Sequence, residues 1–192
     1  MTVQSRRERE RAERHQLIID TARGLAESEG WEAVTTRRLA ALIEYSQPVL
    51  YSHFAGKDAI MAAVALAGFG ELAAELREIR AGIPDAAQAF AGLAAAYLAF
   101  ADAKPARYDA MFVLTTDLAF ASSETPQPLL DAFDALCEFA APVAAGRDVA
   151  ALTELFWAAL HGLVTLERSG RVPAAQRRDR LRMLVAQFLA VP

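Results

Sequence analysis

The fold of this 192-residue chain is decided by the stretch Thr35-Thr36-Arg37-Arg38-Leu39-Ala40 … Ser46-Gln47-Pro48-Val49-Leu50-Tyr51-Ser52-His53-Phe54 … Lys57. Thr35 is a residue type that caps helix N-termini, and Leu39 and Ile43 behind it are spaced to share one helix face. Ser46 begins a second short helix in the same way, with Pro48 in its first turn, where a missing N–H costs little. Two helices of about eight residues joined by a short turn are typical of a helix-turn-helix.

Helices are predicted on both sides of this pair. The first begins near Arg9 and ends at Glu29, because Ile18 and Leu25 lie on one face and Gly30 tolerates the left-handed conformation that ends a helix. Further apolar segments divided by Pro and Gly predict helices over 57–80, 85–103, 105–121, 126–145, 148–169 and 173–190. Ala and Leu favour helix. The predicted fold class is all-α, with about nine helices: a three-helix N-terminal domain and a C-terminal helical bundle.

The charge of the chain is unevenly distributed. A net charge of −4 at first argues against binding to nucleic acid. The acidic excess falls in residues 61–192, whereas residues 1–60 balance nine basic against nine acidic side chains. Five arginines are predicted to form a basic N-terminal arm: Arg6, Arg7, Arg9, Arg11 and Arg14. A local basic surface of this kind binds phosphate even on an acidic protein.

Several features indicate a cytoplasmic protein. The single cysteine, Cys137, excludes an intrachain disulfide and fits a reducing compartment. The N-terminus is charged over sixteen residues and lacks the apolar stretch of a secretory signal. Two apolar runs, Ala59–Gly70 and Ala86–Ala101, fall short of the roughly 20 residues that a bilayer span needs. We therefore expect both runs to be buried helices and expect no membrane association.

The pattern of reactive residues argues against an enzyme. The three histidines do not form a His-Glu-x-x-His zinc motif, and Cys137 has no nearby basic residue to activate it. A phosphate-cradling glycine loop is also missing. We expect no catalytic residues, no metal and no cofactor. A purely structural helical adaptor, with an inactive helix-turn-helix, is the other alternative.

The second short helix carries side chains suited to reading base edges in the major groove. The amide of Gln47 can pair with N6 and N7 of adenine, and Pro48 and Val49 are small and apolar enough to contact a thymine methyl group. Ser46 lies at the start of this helix, where unpaired backbone N–H groups attract phosphate. Base contacts of this kind would set the sequence preference.

Other polar residues of the segment are candidates for phosphate contacts. Thr36 and Arg37 begin the first helix of the pair, and Tyr51, His53 and Lys57 carry donors further along. Each has an alternative interpretation. Tyr51 can be packed core, His53 a surface or capping histidine, and the arginines at 37 and 38 a solvated face of which only one reaches DNA. Contacts to phosphate would set the position of the protein on the duplex.

The same segment resembles the N-terminal DNA-binding domain of the TetR family. The family pattern is Thr-x-Arg-x-Ile/Leu-Ala, a turn, and a helix ending Leu-Tyr-x-His-Phe with a Lys shortly after. The lead-in Gly30-Trp31-Glu32-Ala33 matches as well, and the resemblance covers residues 14–60. The sequence Trp157-Ala-Ala-Leu-His161-Gly162 resembles a C-terminal domain of part of this family. One departure is Glu44, which stands where the family turn usually has glycine.

The resemblance implies a DNA-binding transcriptional regulator, with release from a palindromic operator by an apolar small molecule as the commoner family behaviour. It implies a DNA-binding domain with its basic arm over 1–56 and a ligand-binding and dimerisation domain over 57–192. Pocket candidates are Tyr97, Phe100, Tyr108, Met111, Phe112, Phe133, Cys137, Trp157 and His161. Ordinary core packing is the alternative for each of them, and for His161 a hydrogen bond to a backbone carbonyl.

A homodimer is expected to form through the last two helices. The helix 148–169 carries a broad apolar face of Leu152, Leu155, Phe156, Ala159, Leu163 and Leu166. The segment 173–192 carries a second face of Leu181, Leu184, Val185, Phe188 and Leu189. Two such helices from each subunit would form a four-helix, twofold interface.

Overall fold

A computed structural model describes residues 3–190 of the chain, and all regular structure in that range is helical. Its nine α-helices are α1 Val3–Glu29, α2 Thr36–Leu42, α3 Gln47–Tyr51, α4 Lys57–Gly82, α5 Ala86–Ala103, α6 Pro105–Phe112, α7 Gln127–Ala140, α8 Val149–Arg168 and α9 Arg177–Leu189. Short 3-10 turns occupy Trp31–Ala33, Ala141–Val143 and Ala174–Gln176. The predicted all-α fold with about nine helices is confirmed. The predicted C-terminal boundary at Pro192 lies outside the described residues.

The helices form two compact units whose segments alternate along the chain. The first unit contains the residues up to Gly68 together with Lys104–Pro126, and the second contains Phe69–Ala103 together with the residues from Gln127 onward. This division reflects which segments pack together. The predicted boundary between residues 56 and 57 instead separates DNA binding from ligand binding and dimerisation. Helix α6 therefore packs within the first unit.

The core of the first unit is built on the predicted face of α1. Helix α1 packs against α2, α6 and the 3-10 turn that follows it. Its buried side chains share one stripe and meet buried residues of the helix-turn-helix. These residues are Ile18, Ala22, Leu25, Val34, Leu39, Leu50 and Phe54.

Three contacts hold α6 within this first unit. Glu27 of α1 accepts hydrogen bonds from the backbone N–H groups of Ala106 and Arg107, each at 3.0 Å, so its carboxylate caps the N-terminus of α6. The buried indole Nε1 of Trp31 donates to the carbonyl oxygen of Ala106 at 2.7 Å. A Cβ added to Gly68 would lie 2.6 Å from the sulfur of Met111. Glycine is therefore required where α4 approaches α6.

The second unit packs around α5, which contacts α7, α8 and α9. The ring of Phe90 stacks on that of Phe156 at a centroid distance of 4.1 Å, and Phe156 meets Phe188 edge-on at 4.9 Å. Leu152 and Val185 are buried as well. Part of each apolar face predicted for dimerisation therefore packs inside this unit, and Leu155 and Leu166 stay exposed.

The predicted start of the first helix is wrong, because helix α1 begins at Val3 and not near Arg9. The arginines between residues 6 and 14 are therefore helical. Charge pairing favours this extension, since Arg6 Nε donates to Glu10 Oε1 at 2.8 Å, and oppositely charged residues four apart stabilise a helix.

Two other predicted helices end early. The span 105–121 is helical only to Phe112, after which Val113, Thr115 and Thr116 are β-branched residues that lose side-chain freedom in a helix. The span 126–145 ends as an α-helix at Ala140 and continues as a 3-10 turn that contains Pro142. Proline lacks the N–H and clashes with the preceding helical turn.

Three helices are long and apolar enough to cross a membrane by length and composition, which corrects the expectation from the shorter apolar runs. They are α4, α5 and α8, because each helix continues beyond the apolar run read from the sequence. The most apolar 18 residues are 50% buried within the protein in α4 and 44% in α5. In α8 the buried share is 28%, with a mean hydropathy of 1.6. Helix α8 therefore presents an unusually apolar surface to its surroundings.

Candidate DNA-binding surface

Local hydrogen bonds fix the geometry of the α2–turn–α3 segment. The predicted N-cap Thr35 accepts a hydrogen bond at its Oγ1 from the N–H of Arg38 at 3.2 Å. The helix ends when the N–H of Ile43 bonds to the carbonyl of Leu39 at 3.0 Å, and Glu44 then reverses the chain with φ of 58°. Residues 36–51 thus form the helix-turn-helix that the spacing predicts.

Helix α3 has an inner and an outer face. Its Leu50 is 1% exposed and Phe54, just beyond the helix, is 6% exposed, so both pack inward. Gln47 and Pro48 are exposed and Val49 is half-buried. The three side chains proposed to read bases therefore lie toward solvent at the first turn of this helix.

Tyr51 belongs to the outer face, which argues against its packed-core interpretation. Its side chain is 54% exposed, and its hydroxyl lies 3.4 Å from Thr36 Oγ1. This contact joins the end of α3 to the start of α2. The structure thus brings two predicted phosphate-contacting residues together on one polar surface.

The neighbouring arginines divide into one paired and one exposed side chain. Arg38 Nη2 donates to Glu29 Oε1 at 2.5 Å, so Arg38 is held against the end of α1. Arg37 is exposed and makes no side-chain hydrogen bond within residues 3–190. Ser46 is the N-cap of α3, although its hydroxyl makes no capping bond, and Lys57 begins α4 as a half-buried residue.

His53 has neighbours on α1 that lie far from it in the sequence. Its ring lies 5.9 Å from the ring of His15. The pKa of His53 is lowered below 6.5, first by burial and then by the charges of Arg11, His15 and Arg14. The sequence contains a signal for these neighbours, because Arg11, Arg14 and His15 precede Ile18 at helical spacing and so continue the inner face of α1.

We expect the substitution Glu44→Gly to raise the free energy of unfolding by about 1 kcal/mol. The φ of 58° at Glu44 costs an L-residue about 1–2 kcal/mol, whereas glycine adopts it freely. Urea denaturation measures the difference. Glu44→Ala is the matched control, because it removes the carboxylate and keeps the strained backbone. Equal stabilisation by alanine would assign the effect to charge and contradict this prediction.

The nine pocket candidates are divided between the two units. In the second unit, Trp157 Nε1 donates to the hydroxyl of the buried Tyr97 at 2.9 Å. Phe100 is buried in the same unit, and Phe133, Cys137 and His161 are half-buried there. In the first unit, Tyr108 and Met111 are buried and the ring of Phe112 lies 4.9 Å from that of Tyr108.

Burial keeps two of these candidates in their neutral forms. Burial raises the pKa of the Cys137 thiol, although its hydrogen bond with Thr153 acts in the opposite direction. Burial also lowers the pKa of His161 below 6.5. Desolvation disfavours the charged form of either group. The thiol of Cys137 and the imidazole of His161, both in the second unit, are therefore mainly neutral near pH 7.

A capped first helix, a tight turn and a second helix with an exposed polar face define a DNA-binding helix-turn-helix protein. Residues 18–64 match the family of bacterial regulatory proteins named tetR, and residues 90–188 match the tetracyclin repressor-like C-terminal domain. The second match alone spans more than half of the chain. The chain therefore belongs to the TetR family of transcriptional regulators. A comparison with curated protein sequences found no match.

Solved structures share the fold over nearly the whole chain. A Rhodococcus sp. RHA1 protein of unknown function has a TM-score of 0.77 at 23% identity, covering 91% of this chain and 93% of its own. A tetR family transcription regulator from Shewanella sp. PV-4 has a TM-score of 0.64 at 19% identity, covering 91% and 95%. The regulator FadR from Bacillus subtilis, in complex with stearoyl-CoA, has a TM-score of 0.66 at 15% identity, covering 88% and 97%. At these identities the likeness supports the fold alone.

Proposed function

We propose that the protein is a homodimeric cytoplasmic repressor that binds a near-palindromic operator and is released by an apolar small molecule. Residues 1–56 would bind DNA, and residues 57–192 would bind the effector and form the dimer. The observation that carries the proposal is the outer face of α3, where Gln47, Pro48 and Tyr51 are exposed beside the exposed Arg37 of α2. These residue types suit contacts to base edges and phosphates.

Dimerisation through α8 is supported by a stripe of exposed apolar residues along one side of that helix. Leu155 is 64% exposed and Leu166 is 39% exposed. Ala158, Ala159 and Gly162 lie between them on the same side, at the helical spacing of one face. On α9, Met183 is 66% exposed. An unpaired apolar surface of this kind is the usual sign of an interface.

Gly162 supports the same interface independently. Glycine within a helix costs about 0.5–1 kcal/mol relative to alanine. A Cβ at this position would meet nothing within 4 Å in the subunit, so internal packing does not require glycine there. A second copy of α8 approaching closely at this point would require it. The twofold axis would then place two copies of α3 about one DNA turn apart, at ~34–36 Å.

The effector is proposed to be apolar because the pocket candidates are aromatic or neutral. Tyr97 and Trp157 form a hydrogen-bonded pair, and burial disfavours the charged forms of Cys137 and His161. Pockets for small molecules are mostly apolar with few polar groups. A protein of the same fold is described in complex with stearoyl-CoA, which carries a long apolar chain. Such an effector would act by binding the DNA-free geometry more tightly.

Selection from a random pool of DNA duplexes tests the proposed function. The purified protein should enrich a near-palindrome, and fluorescence anisotropy should show binding that weakens steeply with salt. Equal affinity for the enriched duplex and for a scrambled duplex would overturn the proposal. Native mass spectrometry of the purified protein tests the effector, because a retained small molecule should be lost when the operator duplex binds.

Gln47→Ala should relax the base preference at one position of each half-site at a cost of about 1–3 kcal/mol, because one bidentate pairing is lost. Anisotropy with the enriched duplex and its single-base variants measures this effect. Lys57→Ala is the comparison, since loss of a phosphate contact should weaken all duplexes alike and reduce the salt slope by about 1. An unchanged base preference in Gln47→Ala would show that α3 reads DNA through other residues.

A further inference from the structure

Four basic side chains meet where the end of α3 packs on α1. Arg11 Nη2 donates to the carbonyl oxygen of Ser52 at 3.3 Å, and Ser52 is the C-cap of α3. One helical turn along α1, the ring of His15 stacks on Phe54 at 4.4 Å with an interplanar angle of 21°. These contacts fix α1 against the helix proposed to read DNA. We call Arg11, Arg14, His15 and His53 the basic cluster.

The basic cluster has no acidic partner within residues 3–190. None of its four side chains forms an ion pair there. Arg14 Nε and His53 Nδ1 are also shielded from solvent without a hydrogen-bond partner. Four cationic or titratable groups held together without a counter-charge repel one another, and a bound anion would relieve that repulsion.

The charged groups that act on His53 all come from α1. They are Arg11, His15 and Arg14, and their charges add to burial in lowering the pKa of His53. Lys57 and Asp58 begin the neighbouring α4, and within the described part of the chain neither interacts with His53. In the free protein His53 is therefore mainly neutral near pH 7 and a neighbouring anion would favour its charged form.

We propose that the basic cluster holds one phosphate of the DNA backbone, and that His53 gains a proton when this phosphate binds. The inference rests on the proposed function, since the cluster lies directly behind the end of α3. It adds to that function a phosphate site built across α1 and α3, and a dependence of DNA affinity on pH. The guanidinium groups would supply charge-assisted hydrogen bonds to the phosphate oxygens.

The sign of the pH effect follows from the two pKa values of His53. In the free protein the pKa lies below 6.5, and an adjacent phosphate raises it in the complex. The complex then binds more protons than the free protein, so the affinity increases as the pH falls between these two values. A single proton gives at most about a tenfold change in affinity per pH unit. Above the pKa of the complex, the affinity no longer depends on His53.

Anisotropy titrations at constant ionic strength between pH 5.5 and pH 8.5 test the inference. The probe is the duplex enriched from the random pool, with a scrambled duplex of the same length beside it. We expect the affinity for both duplexes to rise as the pH falls, because a phosphate contact is independent of sequence. NMR titration of the His53 ring should show a higher pKa in the complex than in the free protein.

Variants separate the basic cluster from general electrostatics. His53→Gln should remove most of the pH dependence and weaken the enriched and the scrambled duplex alike, because a phosphate contact is lost. Arg14→Gln should reduce the salt slope by about 1. Arg171→Gln is the matched control, because Arg171 is an exposed arginine in the loop after α8, and it should leave both slopes unchanged.

The results of these experiments separate the phosphate site from the proposed repressor function. A flat pH profile, an unchanged His53 pKa on binding, or a full pH dependence in His53→Gln would overturn the phosphate site and leave the repressor proposal standing. Loss of the pH dependence in His15→Gln alone would assign the proton to His15 and overturn the assignment to His53. If the protein enriches no duplex, both proposals fail together.

Discussion

Replacing Leu155 by glutamate is expected to turn the proposed dimer into a monomer and to lower operator affinity by at least roughly 100-fold. The twofold axis would bring two new carboxylates into an apolar interface, where unpaired charges are costly. Without the dimer each half-site is bound separately, and the avidity gain of about 10²–10⁴ disappears. Because Leu155 is 64% exposed in the subunit, the subunit should fold normally. Sedimentation velocity and anisotropy measure the two effects.

Leu130→Glu provides the matched control for this substitution. Leu130 is an exposed leucine of α7, with 43% of its surface accessible, and it lies outside the stripe on α8. The control variant should stay dimeric and bind the operator normally. A dimeric Leu155→Glu protein with full operator affinity would show that the subunits associate through another surface, and a monomeric wild-type protein would contradict the dimer itself.

The second large effect is expected from Glu167→Ala, which should lower the free energy of unfolding by about 3–5 kcal/mol. Glu167 has a side chain only 2% exposed, and its carboxylate accepts hydrogen bonds from Arg177 Nε at 2.5 Å and Arg180 Nη2 at 2.6 Å. Arg177 also pairs with Asp102 at the end of α5. The network thus joins α5, α8 and α9. Removing the central carboxylate leaves partly buried guanidinium groups without their partner.

Urea denaturation at a fixed subunit concentration measures this loss, since the stability of a dimer depends on concentration. Arg182→Ala is the control, because Arg182 pairs with Asp179 at 3.0 Å with side chains 78% and 66% exposed. Exposed pairs contribute about 0–1 kcal/mol. If the two variants lose equal stability, the buried position of Glu167 contributes nothing, and the expected difference is wrong.

The helix-turn-helix was predictable from sequence because its signals are local. The cap at Thr35, the inward spacing of Leu39 and Leu50, and the first-turn position of Pro48 all lie within sixteen residues. Each depends on backbone geometry that neighbouring residues determine. The exposure of Gln47 followed from the same spacing. At these positions, local preference and tertiary packing agree.

Contacts between distant residues could not be read in the same way. The indole of Trp31 bonds to a carbonyl 75 positions away, and no periodicity specifies that pairing. The end of α6 at Phe112 was missed because apolar residues continue beyond it and imitate a longer helix. His15 was missed because its role depends on how α1 packs against the end of α3. That packing cannot be read from the sequence of either segment alone.

The hydrogen bonds of Glu27 and Trp31 to α6 limit how the DNA-binding helices can be transferred to another protein. A fragment ending at Gly56 would lack the carbonyl of Ala106, which accepts a hydrogen bond from the Trp31 indole, and the backbone N–H groups that donate to Glu27. A transferable DNA-binding fragment must also include residues 104–126, which follow α5 in the sequence. End-to-end fusion at Gly56 would therefore leave the indole of Trp31 and the carboxylate of Glu27 without these partners.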